Sequence, residues 1–490
     1  MTSIPITRSP VRFLPDFDRV ITKPYLSGEP GLPDGQERAG LITGRILAMP
    51  PDEVSSTLKE IRDQFADRHP TFTGELERSY DLVARHIENA DDLSLERRLL
   101  IGAYFTKEYS IEAAALSNPS MVSAPDQSGL RHGEQRFVMS LRAIGEGHIS
   151  SIEFRTGVVG ADGEFTVDRP SRFPVTGDRR SPTYDRQLFC ARLEELGAMN
   201  DVAHLCLDSL GSRFTLAQLQ DEIDDLVRRG VEDTVSYPTT RIIHWLASSN
   251  YDTAFPVGTE ITDHVIFPAG PAESHGMEDA RFVRFTHDNG RVVYYATYTA
   301  YDGVQILPQL IETSDFRDFT VRTLGGSAAH NKGIALFPRK VDGRYAALSR
   351  QDNENNYLML SNNVRHWEDT ERIQIPEEPW ELTQIGNCGS PLETEAGWLV
   401  ITHGVGPMRQ YTLGAILLDI EDPRQVIGRL DEPLLTPDED EREGYVPNVV
   451  YSCGSMIHGD LLVLPYGFSD RGAGIATVPL GDLLTVLTAK

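Results

Sequence analysis

Cysteine is scarce and unpatterned. The four in this chain, Cys190, Cys206, Cys388 and Cys453, show none of the paired spacings of zinc ribbons or redox dithiols. That excludes a disulfide-stapled scaffold and points to buried thiols in a reducing compartment. Long apolar runs are missing as well, and none approaches the roughly 20 residues that cross a bilayer as a helix. The N-terminal stretch MTSIPITRSPVRFLPDFDRV has no apolar core followed by a cleavage site, so no secretory signal is expected and a soluble, cytoplasmic protein is the default. Positive charge is in deficit. With 46 Lys and Arg against 73 Asp and Glu the formal charge is -27, which argues against nucleic acid or an anionic membrane surface as partner. One local basic pocket remains compatible with that total. Histidines such as His148 and His275 lack carboxylate or histidine companions at ligand spacing, so neither a metal site nor an organic cofactor is expected.

At 490 residues the chain is too long for one small core, and two or more domains or a repeat array is expected. Residues 1 to about 50 are rich in Pro and Gly and read as an extended arm. Helical spacing then follows three times: Val54, Leu58, Ile61 and Phe65 after Pro51; Leu76, Tyr80, Leu82 and Val83 within 74–87; and Ser94 to Phe105. This gives an N-terminal arm and helical region over residues 1–110.

From residue 137 the pattern becomes that of strands. Five runs resemble one another: FVMSLR from Phe137, VVYYATYT from Val292, RYAALSR from Arg344, WLVITH from Trp398 and DLLVLPY from Asp460. Each is followed by a second strand-like run, at His148–Phe154, Val304–Glu312, Asn356–Leu360, Tyr411–Ile420 and Gly474–Pro479. The later starts, at 292, 344, 398 and 460, lie 52, 54 and 62 residues apart, a period that suits four-stranded blades. The expected fold is mainly β: a five-bladed β-propeller over residues 111–490, interrupted by a helical insertion at about 172–262. In that insertion Tyr184–Leu196 and Leu216–Arg229 have helical spacing, and Asp221, Glu222, Asp224 and Asp225 read as a solvated helix face.

The chemistry is expected around GMEDARFVRFTHDNGRVVYYATYTAYDG, Gly276 to Gly303. Asp-Asn-Gly at Asp288–Gly290 signals a hairpin, which puts the adjacent carboxylates Glu278 and Asp279 at its mouth. A plain alternative is a turn whose carboxylates pair with Arg281 and Arg284. In a propeller one strand of each blade lines the central channel. Polar strand ends therefore converge, and Arg142, Asp279, Lys332, Arg350, His403, Tyr411 and Asp470 become neighbours.

The order of motifs resembles glycoside hydrolase family 130, the β-mannoside phosphorylases and their hydrolytic relatives. The likeness runs over roughly residues 115–480, leaving out the insertion. It is carried by Ser117-Asn118-Pro119, FVMSLRAIGEGHIS, GMEDAR with YTAYDG, NKGIALFPRKVDGRYAALSR, GWLVITHGV, YTLGAILLDIEDP, EGYVPNVVYSCG and PYGFSD. The resemblance implies a five-bladed propeller and inverting phosphorolysis of β-mannosides, giving α-mannose 1-phosphate. It implies Asp279 as catalytic acid, acting through the mannose 3-hydroxyl, and a mannose site of Asn118, Arg142, Asp279 and Asp470, with Glu278 and Tyr298 as further substrate contacts. Phosphate, a co-substrate rather than a cofactor, falls to Lys332, Arg350 and Tyr411, with His403 and Arg409 as nearby candidates. A phosphorylase needs one carboxylic acid plus cations for its anionic nucleophile, whereas an inverting hydrolase needs a second carboxylate to activate water. Two residues depart from the family pattern. Ala280 replaces a proline, and Gln384 stands where phosphorylases carry a lysine. Arg409 is one substitute for that lysine. A β-mannosidase on the same scaffold, with Glu146, Glu278, Glu354 or Glu443 as base, is the alternative. Linkages of 1,2, 1,3 or 1,4 and a homo-oligomer are all compatible with the sequence.

Overall fold

The computed structural model describes residues 4–26, 34–84, 87, 89–229 and 236–489. The chain is mainly β. It divides into two compact units, one of Met1–Pro15, Ala114–Pro170 and Thr176–Lys490, the other of Asp16–Ala113 and Ser171–Val175. Among the described residues no helix is long and apolar enough to cross a membrane.

The smaller unit is helical. Helices Asp34–Leu47, Pro51–Phe65, Phe72–Ala84 and Leu95–Tyr104 accompany a hairpin of Val20–Pro24 with Thr106–Ser110. The expected apolar stripes supply the core: Val54, Leu58, Leu76, Tyr80 and Val83 are buried with Leu99, Leu100, Ile101 and Phe105. Phe65 and Leu82 are the exceptions, at 37% and 45% exposed: Phe65 is the last residue of its helix, and the inward stripe of the helix that carries Leu82 passes through Leu76, Tyr80 and Val83 at spacings of four and three. Ser94 caps the last of these helices, its hydroxyl accepting from the Arg97 N–H at 3.3 Å. The Arg97 guanidinium in turn donates to the carbonyls of Ile46, Leu47 and Met49 at 2.6–2.8 Å, which serves the unpaired carbonyls at the end of the first helix. Residues 1–50 are therefore not a simple arm: they contain a helix and two paired strands.

In the larger unit all five repeated strand pairs are antiparallel hairpins. Gln135–Ile144 pairs with Ser150–Val159, Val292–Tyr301 with Ile306–Thr313, Tyr345–Ser349 with Asn356–Ser361, Gly397–Val405 with Tyr411–Leu418, and Leu461–Phe468 with Gly472–Pro479. Each hairpin gains a preceding strand: Ala115–Ser123, Gly276–Thr286, Ala335–Leu336, Gln384–Asn387 and Val450–Tyr451 respectively. The outer strands are Phe165–Val167, Asp318–Thr323, Asp369–Gln374 and Val426–Arg429 for the first four sets. The fifth set is completed by Thr7–Phe13, from the start of the chain, lying antiparallel to Gly472–Pro479. Arg8 and Arg12 of that strand approach the buried Glu441 carboxylate at 3.3 and 3.7 Å, and Tyr466 donates to the same group at 2.5 Å. The first two sets are joined into one larger sheet by a parallel contact of Gly276 with Ser150.

The expected insertion is helical: Arg186–Glu195, Asp201–Leu207, Leu216–Arg228 and Ser236–Ser248 share a core of Phe189, Leu193, Phe214, Leu219, Ile223 and Leu246. Asp221 and Asp224 are exposed, and Asp225 pairs with Arg228 and Arg229. The acidic cluster is thus a solvated helix face.

Candidate active site

The five sets present side chains from their strands, and from the turns beside them, to one place. Two of these positions are made by backbone irregularity. The register of Gly276–Thr286 against its neighbour slips between Glu278 and Arg281. That of Ala115–Ser123 slips between Ser117 and Ser120. Asp279 and Asn118 sit inside these bulges with φ of 57° and 51°. A left-handed conformation at a residue other than glycine costs of order 1–3 kcal/mol and is held only where the surroundings fix it. Here the two strained residues meet: the Asn118 side-chain amide donates to Asp279 Oδ1.

Around this pair the charges are ordered. Glu278 Oε1 accepts from Arg142 Nη2 at 2.8 Å, and its Oε2 accepts from Lys332 Nζ at 2.5 Å. Arg142 Nη1 lies 3.9 Å from Asp279 Oδ1. Arg281 is buried. It donates to the Asp279 carbonyl at 3.0 Å and to the Tyr451 hydroxyl at 2.8 Å. The plain alternative therefore holds only for Arg281, and through the backbone rather than a carboxylate pair; Arg284 is exposed. Burial pushes the Asp279 carboxyl up, but Arg281, Arg142, Lys332 and the Asn118 amide together outweigh it and leave the group below its ordinary value. Asp470, itself left-handed at φ 47°, moves the other way. Burial raises it, the Asp279 and Glu278 charges add to the rise, and Arg142 and Arg409 only partly offset it.

The second half of the site is cationic and aromatic. Arg350 donates from Nη1 to His403 Nε2 at 3.3 Å and has no ion pair among the described residues. Its Nε is buried without a hydrogen-bond partner. His403 is buried, and burial first, then the Arg350 and Arg281 charges, push it well below its ordinary value, so the ring is the neutral acceptor that this contact requires. The His403 ring lies nearly parallel to that of Tyr411, centroids 5.9 Å apart, and 4.9 Å from that of Tyr451. The Arg409 guanidinium sits 5.8 Å from the Tyr411 ring centroid. Gly386 makes room for this packing, since a Cβ there would fall 2.4 Å from His403 Cε1 and 3.2 Å from Arg350 Cδ. Lys332 is tied in by its neighbour Gly333, whose carbonyl accepts from Asn387 Nδ2 at 2.7 Å. Gln384 pairs across its sheet with Val405, directly before the turn that carries Arg409.

The structure thus brings together Asn118, Arg142, Glu278, Asp279, Lys332 and Asp470 on one side, and Arg350, His403, Arg409 and Tyr411 on the other. Tyr298 is not placed with them. It is buried, and its hydroxyl donates to Glu273, which also accepts from Tyr251 at 3.1 Å. Its strand points alternate side chains to opposite faces, and Thr297 and Thr299, not Tyr298, lie opposite Arg281 and Glu278. Arg281 was expected beside the two carboxylates, whereas Tyr451 and Gly386 were not singled out from sequence as site-forming. The tyrosine was signalled by its place in EGYVPNVVYSCG; the glycine depends on contacts between distant strands.

The sequence profile of glycoside hydrolase family 130, described as β-1,4-mannooligosaccharide phosphorylase, matches residues 246–489. A 1,2-β-oligomannan phosphorylase of Thermoanaerobacter sp. (strain X514) is 34% identical over 218 residues, 43% of this chain and 71% of that one. A β-1,2-mannobiose phosphorylase of Listeria innocua is 28% identical over 234 residues, 46% of this chain and 64% of that one. Among solved structures, the β-1,2-mannobiose complex of the Listeria innocua β-1,2-mannobiose phosphorylase superposes with a TM-score of 0.46 at 19% identity, over 78% of this chain and 94% of that one. The Glu278-Asp279 turn, the basic cluster and the strands of the fifth set from Val450 onward fall within the matched residues, and the chain belongs to glycoside hydrolase family 130.

Proposed function

We propose that this chain cleaves β-mannosides by inverting phosphorolysis, releasing α-mannose 1-phosphate. The observation that carries this reading is the division of charge in the site. Of the adjacent carboxylates Asp279 is left to act, because Glu278 is tied at both oxygens by Arg142 and Lys332; Asp470 is the further carboxylate of the site, and burial with the Asp279 and Glu278 charges raises it. One guanidinium, Arg350, has no carboxylate partner among the described residues. An acid beside an uncommitted cation is what an anionic nucleophile requires. Asn118, Arg142 and Asp470 hold the mannose unit; Lys332, Arg350, Arg409 and Tyr411 hold phosphate, with His403 orienting Arg350. Asp279 supplies the proton that the leaving oxygen takes up, relayed through the mannose 3-hydroxyl, while phosphate attacks the anomeric carbon from the opposite face. A phosphate dianion beside Lys332 and Arg350 offsets the cations that depress Asp279 and so favours its protonated form.

The architecture that converges these groups is, in this reading, a five-bladed propeller. It is supported by the five strand sets, and by contacts of Ala115–Ser123 with both Gly276–Thr286 and Leu461–Phe468, which link the first set to the second and the last. A parallel bridge of Tyr411 with Val449 links the fourth set to the fifth. Residues 1–110, apart from the strand Thr7–Phe13 that completes the fifth set, then form the added N-terminal region and 172–262 an insertion within the propeller. The four free cysteines accord with a cytoplasmic site of action.

Hydrolysis is the second reading, and Gln384 is the observation in its favour. Its base would have to be a carboxylate about 6.5–9.5 Å from the acid. Glu146, Glu354 and Glu443 are exposed and Glu278 is tied, which leaves Asp470 as a further candidate. Incubation of β-1,2- and β-1,4-mannobiose with and without phosphate separates the two. Mannose 1-phosphate formed only with phosphate is the expected result. Free mannose released at the same rate in both conditions would replace phosphorolysis by hydrolysis.

A further inference from the structure

Two exposed aromatic rings lie against each other beside this site, and nothing in the chemistry above uses them. His148 sits at the tip of the hairpin between Gln135–Ile144 and Ser150–Val159, with φ of 61° following Gly147 at 70°. Tyr445 lies in the loop that enters the fifth strand set and is 69% exposed. Their ring centroids are 5.5 Å apart with the planes inclined by 31°.

Both rings are anchored to residues of the site. Ser150, two residues beyond His148, donates from its hydroxyl to the Met277 carbonyl at 2.9 Å, and Met277 lies two residues before Asp279. On the other side Val446 donates its N–H to the Ser469 carbonyl at 3.1 Å, and Gly444 packs so closely on Ser469 that a Cβ there would fall 2.2 Å from the same oxygen. Asp470 follows directly. The pair therefore spans the first and fifth sets, on loops tied to the neighbours of Asp279 and Asp470, and stands in solvent where those two groups are half-buried. A phenol ring left mostly in water gives up most of the free energy that burial would bring. A contact serving only to join two loops would be expected to cover it.

We infer that His148 and Tyr445 form a stacking platform for the sugar on the leaving-group side of the scissile bond. The inference rests on the proposed action on β-mannosides. The charged groups at the base of the site hold the mannose unit and the anion, so the remainder of an oligosaccharide must leave toward solvent. Sugar C–H faces pack on aromatic rings, and the inclined pair offers two such faces at the exit. The platform acts on affinity for the leaving sugar and on chain-length preference. It takes no part in the attack.

The test uses the full chain and reads binding as well as turnover. Mannose, mannobiose and mannotriose of the preferred linkage are titrated calorimetrically into wild-type, H148A, Y445A and Y445W proteins. A single aromatic contact corresponds to about three- to tenfold in affinity. Both alanine variants are expected to bind mannotriose about three- to tenfold more weakly, to bind mannose as the wild type does, and to regain affinity as Y445W. In turnover, the Michaelis constant for the oligosaccharide should rise by the same factor while that for phosphate stays constant. Unchanged mannotriose affinity in both alanine variants, or no mannotriose binding by the wild type, would overturn the platform. A wild type that binds mannotriose but never makes mannose 1-phosphate would instead refute phosphorolysis and leave the binding comparison standing.

Discussion

At the scale of single residues the site turns on two groups, Asp279 and His403, that the fold holds below their ordinary titration range. Asp279→Asn keeps the shape and the Asn118 contact but removes the transferable proton. A loss of about a hundred- to ten-thousand-fold is expected on mannobiose, and a much smaller loss on an aryl mannoside whose leaving group needs no proton. Near-wild-type turnover of mannobiose by this variant would show that Asp279 is not the acid. His403 makes a separate prediction. Its folded value is depressed, by burial first and then by Arg350 and Arg281, so below about pH 6.5 the unfolded chain binds a proton that the folded chain refuses. The stabilisation is full above that pH and is lost as pH falls toward the folded value, at up to about 1.4 kcal/mol per pH unit. Urea unfolding at pH 7, 6 and 5 should show this slope, and His403→Gln should reduce it. Glu278 and Asp279 were legible because a turn signal and adjacent carboxylates lie within one short stretch. Tyr298 misled because its type suits a sugar site, while its side of the strand, fixed by pairing with distant residues, faces Glu273.

At the scale of elements the hairpins were readable. Apolar runs bounded by turn residues recur at a near-constant period, and each of the five expected pairs is an antiparallel hairpin. The two bulges were not readable. A slipped register is a relation between two strands, and Ser117–Ser120 and Glu278–Arg281 carry no glycine to mark one. The strand Thr7–Phe13 was hidden for a similar reason: its partner lies at the far end of the chain, so local composition suggested an arm. One strand offers a direct check. Gly386 lies in Gln384–Asn387, against His403 and Arg350. Gly386→Ala forces those side chains apart, an overpacking cost of about 1–3 kcal/mol. The Michaelis constant for phosphate should rise at least about tenfold, with that for mannobiose changed far less. Equal changes in both would mean that this packing does not serve the anion.

For the whole molecule, the fifth strand set depends on residues from both ends of the sequence. Removing residues 1–15 takes away Thr7–Phe13, opens the edge of Gly472–Pro479, and strips Arg8 and Arg12 from the buried Glu441. Loss of partners for a buried carboxylate costs about 3–5 kcal/mol, so a fall in melting temperature of roughly 3–6 °C is expected by calorimetry. An unchanged melting temperature would show that the strand is dispensable. The same pairing constrains biosynthesis. At about 5–20 residues per second, Thr7–Phe13 leaves the ribosome roughly half a minute to a minute and a half before its partner strand exists. Throughout that interval it is a nascent strand with an unpaired edge, and the fifth set stays unfinished until the last strand has been translated.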